Sequence, residues 1–205
     1  MTFTQNVERW RDTVNRAVAA VLASYPSNKS LLDALGLTIT GLADVILALI
    51  QKESSGNPLA SGDNGKSIGL MQLNYGAGVP QDYGYSGTPE GLDDPYTNVV
   101  LGIRHFLYQL GRYSDLDKAI LAYNAGSYRL TAAGIPINLP YLNDVLSFLG
   151  KKNSRDFLAS LSLPLEHILS GGESAAITLG DTEQRVEEGA GLIAGVLNFF
   201  KSLFA

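Results

Sequence analysis

The 205-residue chain carries a formal net charge of −5, two histidines and no cysteine. That length suits one compact domain with a real core, or a domain plus an appendage. The acidic balance and scattered Lys and Arg argue against a nucleic-acid surface, which needs a basic patch. Without thiols or an HExxH pair no disulfide, thiolate site or catalytic zinc is expected, though the compartment stays open.

Val7 to Ser24 reads as one helix, with Val7, Trp10, Val14, Ala17, Val18, Val21 and Leu22 at helical spacing. Tyr25-Pro26-Ser27-Asn28 ends it. Ser30 is placed to cap a short helix, Leu31 to Leu35, stopped by Gly36. From Gly41 to Lys52, apolar residues fall at Leu42, Val45, Ile46, Leu49 and Ile50, the pattern of an amphipathic helix. Glu53 continues that face, so a carboxylate ends a buried stripe in the last helical turn. Apolar surroundings and the negative end of the helix dipole both disfavour its ionised form. Its pKa is expected to rise toward neutrality, as a general acid requires. The competing reading is an ordinary Glu on a solvated turn.

A Gly/Ser/Asn/Asp/Pro-rich loop follows, and Leu73 to Asp94 shows no periodicity. Tyr75, Tyr83 and Tyr85 in that stretch either stack on sugar rings or pack the loop down. Any β structure is expected only between Ser54 and Asp94. Asp94-Pro95 supplies a cap and a first-turn proline. Val99, Val100, Ile103, Phe106, Leu107 and Leu110 then form a buried face ended by Gly111, with His105 off the stripe and expected to be solvated. Ser114 or Asp115 caps a helix from Leu116 to Asn124, closed by Gly126. Pro136 to Pro140 breaks the chain before a helix, Tyr141 to Leu149. Further short helices surround Pro164, Ser170 to Asp181 reads as a linker, and 186–204 reads as a helix apolar nearly all round. That last helix must be buried on its own domain, on a protein partner or on a membrane surface. No run reaches ~18 uninterrupted apolar residues, so no spanning helix is expected.

Glu53-Ser54, Asn57-Pro58 and Gly69-Leu70-Met71-Gln72, followed by Ala122-Tyr123-Asn124-Ala125-Gly126, resemble the two motif blocks of soluble-type (SLT) lytic transglycosylases. The first block is also similar to goose-type lysozymes. The resemblance covers roughly Trp10 to Leu149. It implies an all-α, lysozyme-like domain over residues 1–150, with 151–205 as a helical extension carrying an extra C-terminal helix. It implies no cofactor and no metal, and peptidoglycan strands as the partner. In that family a single Glu protonates the bond between N-acetylmuramic acid and N-acetylglucosamine. The substrate's acetamide stabilises the sugar cation, and the Glu then deprotonates the 6-hydroxyl to close an anhydro ring. Glu53 would be that acid and base. Ser54 would orient it or touch sugar, and Ser67 would join the substrate contacts. Gly69 would let backbone approach the glycan. Met71, Gln72, Tyr123 and Asn124 would line the cleft, and Tyr141 would reach the catalytic carboxylate. For Met71, Tyr123, Asn124 and Tyr141 the alternative is ordinary packing or capping.

The run Gly62-Asp63-Asn64-Gly65-Lys66-Ser67-Ile68-Gly69-Leu70-Met71-Gln72 also resembles, without a gap, the goose-type segment in which an aspartate matching Asp63 positions water. A second aspartate of that pattern falls on Asn74, which cannot act as a base. Otherwise Asp63 is a turn residue. A third reading is a non-catalytic, glycan-holding virion or structural component. The first residues lack a charged region followed by an apolar run, so no Sec-type signal peptide is expected. An enzyme of the wall would then reach it through a virion, a holin, a secretion machine or a removed leader. Gly65-Lys66-Ser67 lacks the first glycine of a phosphate loop, and Asp93-Asp94 lacks calcium-loop spacing.

Overall fold

The structure, a computed structural model, describes residues 3–161. The helix expected at 186–204, the linker before it and most of the segment around Pro164 lie outside the described residues. The N-terminal helix is two: α1 (Gln5–Glu8) and α2 (Arg11–Ser24). The break falls at Trp10, whose ring and N–H are used elsewhere, as described below. α3 (Ser27–Ala34) starts directly after Pro26, earlier than Ser30 suggests. α4 (Ile39–Ser54) follows, with the Thr38 hydroxyl accepting the Gly41 N–H at 3.0 Å as its cap.

α4 is not amphipathic in place: every residue from Gly41 to Gln51 is buried. α1, α2 and α8 (Leu139–Phe148) all pack against it. Leu42, Val45, Ile46, Leu47, Leu49 and Ile50 are each fully enclosed. Their burial stabilises the fold by roughly 10 kcal/mol or more before conformational entropy is subtracted. The one carboxylate inside the run, Asp44, accepts Arg11 Nη1 at 2.9 Å, and that pairing lets a polar residue occupy a core position.

After α4 come three two-residue strands, β1 (Ser61–Gly62), β2 (Ser67–Ile68) and β3 (Leu73–Asn74), in antiparallel order β1-β2-β3. Ser61 faces Ile68, and Ile68 faces Leu73. Strands this short do not hold by their ladder alone. A second core does it: Ile68, Leu73, Leu92 and Leu101, with Tyr75, Val79, Tyr83 and Tyr85 packed on it. The three loop tyrosines thus pin the loop. Apart from one bridge between Leu130 and Pro136, the strand pairing among the described residues is confined to this stretch. α5 (Val79–Asp82) is a single turn within it.

α6 (Pro95–Tyr113) is capped by Asp94, whose Oδ1 accepts the Thr97 N–H at 2.9 Å. It runs through Gly111, since Ser114 rather than the glycine takes the left-handed terminal position. α7 (Leu116–Ala125) has Asp115 as its cap and Gly126 in the left-handed position after it. Pro140 lies in the first turn of α8, where its missing N–H costs nothing, so that helix starts at Leu139 and not after the proline. α9 (Ser154–Leu161) follows, with Leu158 resting on the main core. Among the described residues no single helix is long and apolar enough to cross a membrane. The architecture is all-α and lysozyme-like, with the Glu53 helix at its centre.

Candidate active site

Glu53 ends α4 where three elements converge. From α8, the Tyr141 hydroxyl donates to Glu53 Oε1 at 2.5 Å. From α7, Tyr123 is enclosed nearby, its hydroxyl donating to the Met71 carbonyl at 2.8 Å. Lys52, the residue before Glu53, pairs with Asp144 of α8 at 2.6 Å and lies over the Tyr141 ring at 5.9 Å. Burial pushes the Glu53 carboxyl up to about 7. The Tyr141 hydroxyl and the Lys52 ammonium pull against that, while the charge of Asp63 adds to it. Burial first, and the Glu53 charge second, hold the Tyr123 and Tyr141 hydroxyls well above ordinary phenols. Both therefore remain protonated donors around an acid that keeps its proton near neutral pH.

The Gly69-Leu70-Met71-Gln72 block builds the wall behind this acid instead of presenting side chains to a ligand. Gly69 has φ +80°, and a Cβ there would lie 2.1 Å from Asn98 Nδ2 and 2.7 Å from the Leu92 carbonyl. The close approach of Asn98 and Leu92 requires a glycine here. Asn98, fully buried on α6, donates to the Ile68 and Leu92 carbonyls and accepts the Met71 N–H, all within 2.9 to 3.0 Å. Met71 is a core residue with no exposed surface, its sulfur seated against Gly102. Its side chain does not line the cleft; its carbonyl holds Tyr123. Gln72 sits at φ +47° and donates Nε2 to the Ala60 and Gly69 carbonyls at 2.9 Å. Its amide N–H groups are thus spent on the loop. Ser54 likewise donates Oγ to the Leu70 carbonyl at 2.8 Å and fastens the loop to the helix end instead of orienting the carboxylate.

Ser67 is buried and donates Oγ to Asp63 Oδ2 at 2.6 Å, which makes it the support of Asp63 rather than a group free for sugar. Asp63 and Asn64 are both left-handed, at φ 52° and 56°. With Ser55 and Gln72, four of the five non-glycine residues at positive φ among those described belong to the stretch 55–72. Each costs of order 1–2 kcal/mol and persists only because the surroundings over-determine it. Asn74 caps the turn Tyr75–Ala77 through the Ala77 N–H at 2.8 Å. Asn124 is exposed, and its Oδ1 accepts Asn138 Nδ2 at 3.0 Å.

Two residues near the acid carry no motif. His105 is half-buried instead of solvated: its ring lies 5.0 Å from that of Tyr123, and Nδ1 bonds the Tyr83 hydroxyl at 3.0 Å. Burial lowers its pKa, so the imidazole is neutral at pH 7. Asn98 was equally silent. The available signal is a second stripe on α6, Asn98, Leu101, Gly102 and His105, at three- and four-residue spacing beside the apolar one. Among the described residues no cluster of His, Asp and Glu is arranged to hold a metal ion. The cavities of about 240 Å³ beside Tyr85 and Arg104 and about 440 Å³ beside Leu35 and α9 do not include Glu53.

A lysozyme-like helical domain with one elevated carboxyl at the end of its central helix defines a class of glycan-cleaving proteins. Residues 37–134 match the family model described as Transglycosylase SLT domain, a match that supports likeness to that family. In general terms the family supports lytic transglycosylase action on peptidoglycan. The match takes in α4, the small sheet, α6 and α7. It leaves out α1 to α3 and the helix of Tyr141, the residue that bonds Glu53. A search among curated proteins found no match for the chain.

Proposed function

We propose that the protein is a muramidase that cuts peptidoglycan strands without consuming water, with Glu53 as acid and then base. The observation that carries this reading is the Glu53 carboxyl, raised to about 7 by burial while Tyr141 occupies its Oε1. Among the described residues no side chain bonds Oε2, which leaves that oxygen for the substrate. Glu53 gives its proton to the glycosidic oxygen between N-acetylmuramic acid and N-acetylglucosamine as that bond breaks. The acetamide of the substrate stabilises the sugar cation. Glu53, now a carboxylate, takes the proton of the 6-hydroxyl, whose oxygen closes on the anomeric carbon. The acid is thereby restored, and the product ends in 1,6-anhydro-N-acetylmuramic acid. Tyr141 steadies the carboxylate in the middle of the cycle, when it is charged. The cell wall is accordingly the place of action, whatever carries the protein there.

Asp63 supports a second reading, a goose-type hydrolase. It is held in a left-handed conformation, its carboxylate is aimed by Ser67, and its charge reaches Glu53. A base in that position would direct water to the anomeric carbon. Mass spectrometry of muropeptides released from purified cell wall tests both. Anhydro ends support the first reading. Reducing ends that take up labelled oxygen from water establish the second. No release of sugar, with no clearing on a zymogram, leaves a glycan-holding module.

A further inference from the structure

The two residues after Glu53 and Ser54 make a sharp reversal: Ser55 at φ 52° and Gly56 at φ 79°. Ser55 closes α4 in a left-handed conformation without being glycine, so the reversal must be held from outside. Residues 3–10 hold it. Asn6 Nδ2 donates to the Ser55 carbonyl at 2.5 Å. Trp10 Nε1 and Arg9 Nη2 both donate to the Gly56 carbonyl, at 2.9 and 3.1 Å. One turn earlier on α4, Gln51 Oε1 accepts both the N–H and the hydroxyl of Thr4, at 3.0 and 2.9 Å. The segment lies so close that a Cβ on Gly56 would fall 2.4 Å from the Asn6 carbonyl. Val7, fully buried, anchors the same turn in the main core.

We propose that residues 3–10 are a positioning strap of the active site, in which Asn6, Arg9 and Trp10 fix the Ser55–Gly56 reversal and so set Glu53 against Tyr141. The proposal rests on Glu53 being the acid. Nothing in the strap touches the carboxylate; it acts through the chain that follows it. The segment falls outside the family match at 37–134. Its break at Trp10 has a use: a continuous helix from Val7 to Ser24 would not leave the indole N–H and the Asn6 amide facing the same loop.

Two consequences follow from loosening the strap. Glu53 loses registry with Tyr141, and displacements of this kind lower turnover by one to two powers of ten. Water also reaches the carboxyl, so its proton is released at lower pH. The groups facing Glu53 are Tyr141 from α8, Tyr123 from α7, Asp63 from the loop and Lys52 from its own helix, with Asp144 balancing Lys52. All four remain in place in strap variants.

The test compares Asn6→Ala, Trp10→Phe and their combination with the wild-type full chain on soluble glycan strands. Trp10→Phe keeps an aromatic side chain against the core while removing the indole N–H together with part of the ring volume. The double variant should lose about tenfold in kcat with KM within about twofold, and the alkaline limb of its kcat/KM profile should move to lower pH. Wild-type kcat and an unmoved alkaline limb would overturn the proposal. Should the double variant not fold, Asn6→Ala alone, at an exposed side chain, carries the same expectation and the same refutation. Glu53→Gln run alongside separates the two ideas. Its inactivity with wild-type kinetics in the strap variants refutes the strap; its full activity refutes the acid.

Discussion

Glu53→Gln should make the protein more stable while abolishing its activity, and the gain should depend on pH. Burial lifts the Glu53 carboxyl from an ordinary value of 4.5 to about 7. Between those values the folded chain keeps a proton that the unfolded chain has released. The stabilisation this gives is complete below pH ~4.5 and is lost as pH rises through about 7. At about 1.4 kcal/mol per pH unit the loss amounts to roughly 3 kcal/mol by pH 8. Gln is uncharged throughout, has the same size, and still offers Tyr141 an oxygen. The variant should therefore match the wild type near pH 4.5 and exceed it by roughly 3 kcal/mol at pH 8, or on the order of 6–12 °C in Tm. Urea unfolding at the two pH values measures the difference directly. In the same preparations lysis of cell wall should fall by at least about 10²-fold. A variant whose advantage does not grow between the two pH values would mean that the wild-type carboxyl titrates as an ordinary exposed one. The argument from burial would then be wrong.

Tyr141→Phe removes the donor that favours the charged carboxyl, so Glu53 should hold its proton to higher pH. The alkaline limb of the kcat/KM profile should rise by about one pH unit or more while kcat falls; an unmoved limb would show that the hydroxyl does not bond the acid in solution. Gly69→Ala should cost about 2 kcal/mol or more, read as a lowered Tm, because its Cβ meets Asn98 and Leu92 and φ is +80°. Asp63→Asn should retain substantial activity if the acetamide does the work, and lose about 10²–10⁴-fold if Asp63 directs water, with anhydro or reducing ends deciding in the same digest. Asn98→Leu should destabilise by several kcal/mol, since it leaves the buried Met71 N–H and two carbonyls without partners. Near-normal melting would show that water replaces the amide there.

The periodicity of α4 gave its position, and capping chemistry gave the starts of α6 and α7, because Asp94 and Asp115 act over three residues. Interactions of that range are legible in a sequence. The full burial of α4 was not, because what covers its polar face comes from α1, α2 and α8, distant in the chain. The motif blocks did not disclose which of their side chains have internal partners. Gly69, Met71 and Gln72 are each committed to backbone, core or Asn98. A motif marks residues that must be kept and does not say whether they touch a ligand. Tyr141 was reached from family resemblance alone, since nothing in a helix start predicts a bond to a carboxyl 88 residues away. Gly111 and Pro140 were misread for a common reason. Each reads as a stop, whereas a helix held by its packing tolerates a glycine and a first turn welcomes a proline.

Several contacts that build the surroundings of Glu53 span long stretches of chain. Tyr141 is 88 residues away, the Trp10–Gly56 bond spans 46, and the Tyr123–Met71 bond spans 52. Loops of that size close late, since the entropy of closing them must be offset by contacts not yet made. In a partly folded chain Glu53 is an ordinary carboxyl that has given up its proton at neutral pH. Its proton affinity therefore appears only with the last docking events. A carbonyl stretch of the protonated carboxyl, followed during refolding at pH 6, would report completion of the site and not the earlier formation of helices.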